Sequence, residues 1–424
     1  MLARCVQRLR ERGAVPLVMD PVWRASSGAG LADEALRTAL RETLLPLATV
    51  VTPNRAEAAW LLGWPALHDE ADVARAAVAL QALGPVTVVI TGGDAGGRES
   101  LDLLRSPQAS GWLALPRIDS RHTHGTGCTF ASALAAAVAH GHCDADAAVL
   151  AKMCAAQALQ DGHAAGAGPG PVHGCAGFAR RGALMPRLRI ESARDVGIRS
   201  APADSQPLGL YAVVDNARWV ARVARAGVGT VQLRIKSGTV PATALEREVR
   251  DAVAAAVHLG VRLVVNDHWG LALAHGAHGV HLGQEDLATA DLGALADAGL
   301  RVGISTHAPF EVARALAVSP SYIACGPVHP TRAKAMPWLP QGESNLAFWC
   351  RQSDLPVVAI GGLDPPRARE AARCGADGIA VLGGIVDAPD PEAAIGHYQA
   401  AIAAGRRAEP IGSPELPRPT LARA

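Results

Sequence analysis

From about Leu208 to Ala404 the chain alternates short runs rich in Val and Ile with Ala-rich segments of helical period, and it does so eight times without a break. The apolar runs are Leu210–Val214, Thr230–Leu233, Arg262–Val265, Gly279–Leu282, Arg301–Ile304, Tyr322–Cys325, Pro356–Ile360 and Gly378–Val381. Ala242–Leu259, Pro309–Ala317 and Pro366–Cys374 are examples of the segments between them. Strands buried on both faces read as continuous apolar runs, and parallel neighbours need a crossover of a dozen or more residues, usually a helix. Eight strand–helix units in about 200 residues therefore predict a (β/α)8 barrel at the small end of its size range. An open doubly wound sheet is the alternative, although it rarely alternates so often uninterrupted.

At 424 residues the chain is long enough for two domains. Residues 1–165 read as a separate α/β domain, 166–207 as a linker rich in Gly, Pro and small polar residues, 208–404 as the barrel, and 405–424 as a disordered tail with no apolar period. No apolar run reaches the 18 residues of a membrane span, and the first residues lack the pattern of a secretory signal. A formal net charge of +1, with both signs interspersed, argues against nucleic acid as a partner. The eight cysteines are scattered and form no CxxC pair, so zinc-finger spacing is absent and a reducing cytoplasm is expected. The expected partners are small molecules, with no membrane, and the sequence leaves oligomeric state open.

In such a barrel the chemistry sits at the carboxyl ends of the strands. The second strand ends in Gln232-Leu-Arg-Ile-Lys236, where alternation puts Gln232, Arg234 and Lys236 on one face. The third ends in Asn266-Asp267, and the fourth runs into His281-Leu-Gly-Gln-Glu-Asp286. The fifth ends in Ser305-Thr-His307 and the sixth in Gly326-Pro-Val-His-Pro-Thr331-Arg-Ala-Lys334. The last two end in Gly361-Gly362 and Leu382-Gly383-Gly384. Only three residues of this Arg-rich chain are lysines, Lys152, Lys236 and Lys334, and two of them fall in this set. An ammonium and a planar guanidinium are not interchangeable, which gives those positions weight.

Asp267 and Asp286 offer hard oxygen ligands for Mg²⁺, an ion that typically takes one or two carboxylates plus substrate phosphates. Gln232, Arg234, Lys236, Ser305 and Lys334 suit a diphosphate, and the Gly-rich ends of the last strands suit a second phosphate. With no Ser/His or Cys/His dyad evident, displacement of diphosphate fits better than acyl transfer. Simpler readings stand beside these. Asp286 could be only a helix N-cap, Gly361-Gly362 only a tight turn, and His275, His278 and His281 straddle a helix end and a strand rather than converging on a metal.

Taken in order, Gln-Leu-Arg-x-Lys, Asn-Asp, His-Leu-Gly-Gln-Glu-Asp, Gly-x-Ser-Thr-His, Gly-Pro-x-x-Pro-Thr-x-x-Lys and Ala-Ile-Gly-Gly resemble thiamine phosphate synthase across essentially the whole barrel. The resemblance implies condensation of hydroxymethylpyrimidine diphosphate with hydroxyethylthiazole phosphate, with release of diphosphate. It implies that Gln232, Arg234, Lys236, Asn266 and Lys334 contact the pyrimidine diphosphate and that Asp267 and Asp286 hold Mg²⁺. Ser305 would touch the diphosphate, Thr331 would lie on the substrate loop, and the thiazole phosphate would rest on Gly362 and the loop at Gly383. Lys334 and Ser305 are the catalytic candidates, and the implied mechanism is dissociative, through a pyrimidine cation. The family usually has a Ser near Gly383 and a charged residue after Lys334, where this chain has Ala335-Met336.

The first half carries three further signals. Val18-Met-Asp20 ends an apolar run with a carboxylate. Thr52-Pro-Asn54-Arg-Ala-Glu57 reads as a strand end, a cap and a first helical turn. His124-Gly125-Thr126-Gly127-Cys128 opens an Ala-rich helix whose backbone N–H groups would form an anion hole. In that order they resemble hydroxymethylpyrimidine (phosphate) kinase of the ribokinase-like superfamily, over about Leu9 to Leu159. The resemblance makes Cys128 the base beside Gly125, Thr126 and Gly127. Asn54 and Glu57 would organise Mg²⁺ and ATP phosphates, with help from Asp20. Cys128 as a buried packing residue is the alternative. Thr91 stands where this family often has Lys, and the resemblance implies more kinase sequence upstream. The chain thus reads as a kinase–synthase fusion with an N-terminally truncated, inactive kinase half. A thiazole tautomerase-like isomerase and a non-catalytic thiamine-metabolite scaffold are the rival readings.

Overall fold

A computed structural model describes residues 1–23, 33–93, 95–190, 199–203, 205–236, 238–331 and 337–421. The chain divides into two compact units, Met1–Asp195 with Leu421–Ala424, and Val196–Thr420.

The second unit is a closed barrel of eight parallel strands. They are β7 (Gly209–Val214), β8 (Thr230–Leu233), β9 (Arg262–Asn266), β10 (Gly279–Leu282), β11 (Arg301–Thr306), β12 (Tyr322–Cys325), β13 (Val357–Ile360) and β14 (Gly378–Val381), and β14 pairs with β7 to close the ring. All eight strands lie where the alternation predicts them. The predicted Ala242–Leu259 helix is reproduced to the residue, its left-handed end supplied by Gly260. Alternate residues point inward: Tyr211, Val213, Val264, Tyr322, Ala324, Val358 and Ala380 form the barrel core. Gly303 lies beside Tyr322, and a Cβ there would come within 2.0 Å of the tyrosine ring. The largest inward side chain thus requires the smallest neighbour.

The first unit holds a six-stranded sheet in sequential order, with β1 (Val18–Met19), β2 (Val50–Val51) and β3 (Thr87–Ile90) parallel. β4 (Glu99–Arg105), β5 (Ser110–Pro116) and β6 (Arg187–Arg189) continue it antiparallel. Lys152 lies buried in this unit, 2.8 Å from Asp102, whose other oxygen accepts from the Gly92 N–H. One of the rare lysines is therefore a paired structural charge.

Two segments differ from expectation. The stretch 166–207, expected as a linker, contains β6, where Trp112 pairs with Arg189. The Arg189 guanidinium is buried and donates to both oxygens of Glu99, at 2.7 and 2.9 Å. A three-residue strand is too short to show a period, and Gly111, with no Cβ to strike the Arg189 carbonyl, lets the backbones close up. The tail from 405, expected to be disordered, is also tied down. The last helix runs on to Arg407, Asn345 exchanges hydrogen bonds with the Arg418 backbone at 2.7 and 2.8 Å, and the Thr420 hydroxyl donates to the His307 carbonyl at 2.6 Å. A Pro-rich extended segment has no apolar period, yet the buried Asn345 amide satisfies both backbone groups of Arg418.

Candidate active site

The carboxyl ends of β7–β14 open on a cavity of about 720 Å³. Gln232, Arg234, Asn266, Asp267, Ser305, Thr331, Gly362 and Gly383 all line it, brought from six strand ends. Lys236 is exposed just past β8 and is not on the wall. Lys334, with Ala335 and Met336, lies outside the described residues.

Asp267 follows β9 in the left-handed region, φ 62°, a conformation Asp tolerates better than most residues. Its N–H donates to the His281 carbonyl at 3.0 Å, which locks the turn. Burial raises the Asp267 pKa, and the charge of Asp286 raises it further. Asp286 folds back so that its carboxylate accepts from the Gly283 N–H at 2.7 Å. It does not cap the helix that follows. That task falls to Asp291, which accepts from Ala294 N–H at 2.9 Å. Asp267 lines the cavity and Asp286 does not, but its charge is felt at Asp267, and two carboxylates that repel one another are a donor set that suits a hard divalent cation such as Mg²⁺. Among the described residues no three His, Cys, Asp or Glu gather into a metal cluster. His275 lies 3.7 Å from Glu246, whereas His281 points into the barrel.

The glycines at the far side are spatially required. Gly361 and Gly362 have φ of 100° and 65°. A Cβ on Gly361 would stand 2.7 Å from Pro327 Cβ, and one on Gly362 would stand 2.6 Å from the Pro330 carbonyl oxygen. Close approach of the two loops, beyond a tight turn alone, dictates the pair. Arg367 donates to the Gly362 carbonyl at 2.8 Å and puts a cation on the same wall. Gly383 and Gly384 begin a short helix after β14, the position of the common barrel phosphate site.

Sequence reasoning missed the buried polar chain beneath these groups. The Gln232 amide nitrogen lies 3.2 Å from Tyr211 Oη, which is 2.9 Å from Tyr322 Oη. Tyr322 Oη is 3.0 Å from His281 Nδ1, and His281 Nε2 is 2.9 Å from Ser305 Oγ. The available signal was strand parity, since Tyr211, His281 and Tyr322 occupy inward positions of β7, β10 and β12. Burial and then the Arg234 charge push the His281 pKa from 6.5 down to about 4. An unfolded chain therefore binds a proton here that the fold refuses. Stability is lost as pH falls from 6.5 to 4, by up to about 3 kcal/mol, and no further below. A His281→Gln variant should lack this slope in urea unfolding between pH 7 and 4.5; parallel profiles for the two proteins would contradict the assignment.

In the first unit the ends of β1 and β2 carry Asp20 and Asn54, and Gly125 (φ 89°) precedes the Thr126–Ala139 helix. Cys128 is exposed, not packed, and lies within the electrostatic influence of Asp20. Its thiol pKa is raised by partial burial and by the Asp20 charge. Asn54 and Glu57 form a reciprocal capping box, each side chain accepting from the other's N–H at 2.8 Å.

The family described as Thiamine monophosphate synthase matches residues 210–385, and the one described as Phosphomethylpyrimidine kinase matches residues 1–173. The barrel region is 50% identical over 198 residues to a thiamine-phosphate synthase of Serratia proteamaculans, covering 46% of this chain and 91% of that protein. A thiamine phosphate pyrophosphorylase structure from Pyrococcus furiosus is 28% identical, covering 47% of this chain and 96% of that one, with a TM-score of 0.42. A pyridoxal kinase from Staphylococcus aureus, in complex with ADP, is 33% identical over 40% of this chain, with a TM-score of 0.38. The chain spans 62% of the length of that kinase.

Proposed function

Through its barrel the chain belongs to the thiamine-phosphate synthase family, and from that premise we propose that the cavity joins a hydroxymethylpyrimidine diphosphate to a hydroxyethylthiazole phosphate. The observation that carries the reading is the convergence of Gln232, Arg234, Asn266, Asp267, Ser305 and Gly362 on one cavity. The C–O bond between the pyrimidine methylene and the diphosphate breaks, and its electron pair leaves with the diphosphate. The thiazole nitrogen lone pair then forms the new C–N bond.

Asp267 and Asp286 would hold Mg²⁺, which when bound supplies charge neutralisation to the leaving diphosphate. Arg234 adds a positive charge on the cavity wall, and Lys236 and Lys334 are proposed as further diphosphate cations on the family resemblance alone. Gln232 and Asn266 orient the pyrimidine, and Ser305 donates to the diphosphate. The Gly361–Gly362 and Gly383 backbones and Arg367 seat the thiazole phosphate, with Thr331 on the loop above. Holding both reactants in line removes most of the entropic barrier to their meeting, and a preorganised array stabilises the charge that develops on the leaving group. An isomerase would have no use for the diphosphate end of this cavity.

The first unit is read as a pyrimidine phosphate kinase-like domain that holds ATP phosphates at Gly125, Thr126 and Gly127 without transferring one. Cys128 makes a poor base at neutral pH, because its thiol is held protonated. The test uses the whole chain with each precursor alone, with both, and with ATP plus hydroxymethylpyrimidine phosphate. Thiamine phosphate should form only when the diphosphate and the thiazole phosphate are present together. Conversion of the thiazole phosphate alone would favour an isomerase, and ATP-driven formation of the diphosphate would overturn the reading of the first unit.

A further inference from the structure

We propose that Tyr322 and His281, at the end of a buried hydrogen-bond chain that begins at Gln232 and Tyr211, fix the Ser305 hydroxyl as a donor into the cavity, which makes these two positioning residues for the displacement. The inference rests on the reading that Ser305 serves the leaving diphosphate. It follows from counting protons along buried atoms. The Gln232 side-chain nitrogen can only donate, so Tyr211 Oη accepts from it at 3.2 Å. Tyr211 is 1% exposed, and among the described residues its own hydrogen has one other neighbour, Tyr322 Oη at 2.9 Å, to which it must donate. Tyr322 Oη, having accepted, donates its hydrogen to His281 Nδ1 at 3.0 Å.

His281 Nδ1 therefore carries no proton. The neutral ring bears its hydrogen on Nε2, which donates to Ser305 Oγ at 2.9 Å. A hydroxyl that accepts from His281 keeps its own hydrogen for another partner, and Ser305 lines the cavity. Packing supports the arrangement. The His281 ring stacks on Tyr322 at 5.7 Å and 21°, Tyr211 meets Tyr322 edge-on at 6.2 Å, and Gly303 leaves room for the Tyr322 ring. Were the chain reversed, His281 Nε2 would take the serine hydrogen, and Ser305 would have none left for the substrate.

The substitutions separate these cases. Tyr322→Phe removes the donor to Nδ1 and frees His281 to accept from Ser305, so kcat should fall about ten- to hundredfold, the scale of one charge-assisted hydrogen bond. The KM values should change much less. Tyr211→Phe loses a hydroxyl from the same buried cluster but leaves Tyr322 donating, so kcat should stay within about threefold. Because Tyr322 is held to act through Ser305, adding Ser305→Ala to Tyr322→Phe should cost far less than Ser305→Ala does alone. Equal losses in the two tyrosine variants, or additive losses in the double variant, would reduce the chain to packing.

The decisive readout needs no turnover. Ring-¹⁵N spectra of the full chain, with His281 assigned by its disappearance in His281→Asn, should show the Nε2–H tautomer in the wild type and in Tyr211→Phe, and its loss in Tyr322→Phe. An Nδ1–H tautomer in the wild type overturns the inference while leaving the synthase reading untouched. Absence of turnover together with the expected tautomer would sink the synthase reading instead.

Discussion

Asp267→Asn and Asp286→Asn should each lower kcat/KM for thiamine phosphate formation by roughly a hundredfold or more, with little change in melting temperature. A carboxylate lost from a two-carboxylate seat removes charge that Mg²⁺ needs, and neutralising the leaving diphosphate is worth several kcal/mol of barrier. Asparagine is the right replacement at position 267 because it tolerates φ 62°, where alanine would add strain of its own. At 286 the amide oxygen can still accept from the Gly283 N–H, so the loop survives while the charge is gone. Raised Mg²⁺ should rescue part of the loss. A drop in melting temperature with activity intact would instead mark Asp286 as a structural anchor, and the capping of the next helix by Asp291 argues against that.

Gly362→Val should raise the KM for the thiazole phosphate about ten- to hundredfold and leave that for the pyrimidine diphosphate nearly unchanged. The new Cβ would stand 2.6 Å from the Pro330 carbonyl oxygen and 2.9 Å from His329 Cβ, in a left-handed conformation that costs a branched residue about 1–2 kcal/mol. The loops must part, and the backbone N–H groups facing the phosphate move with them, at the price of roughly one charge-assisted hydrogen bond. Steady-state kinetics with each substrate varied in turn distinguishes this from a general loss of folding. Equal effects on both KM values would mean that the thiazole phosphate is seated elsewhere.

The barrel was legible because every strand is buried on both faces and every crossover carries helical period. Strand ends such as Gln232, Asn266-Asp267 and Ser305 then fall at the mouth by geometry alone. Side-chain reach was not legible. Lys236 shares parity with Gln232 and Arg234, yet the strand ends at Leu233 and the loop carries the ammonium off the cavity wall. Asp286 is a cap by residue type, but the short turn at Asp286–Ala288 directs it back to Gly283. Tyr211, His281 and Tyr322 were hidden because an aromatic at an inward position reads as packing; only their mutual distances show a hydrogen-bonded chain. β6 and the Arg418–Thr420 anchor escaped for the opposite reason, since isolated backbone pairings leave no periodic trace. The cap at Asn54 was legible from residue type, and Asn54 and Glu57 form it reciprocally.

The most direct test of the account is the yield of diphosphate against thiamine phosphate from the purified 424-residue chain given both phosphorylated precursors. One diphosphate should form for each thiamine phosphate, with loss of both products when a chelator removes Mg²⁺ and recovery of both when Mg²⁺ is returned. Turnover undiminished by the chelator, or diphosphate released with no thiamine phosphate formed, would contradict it.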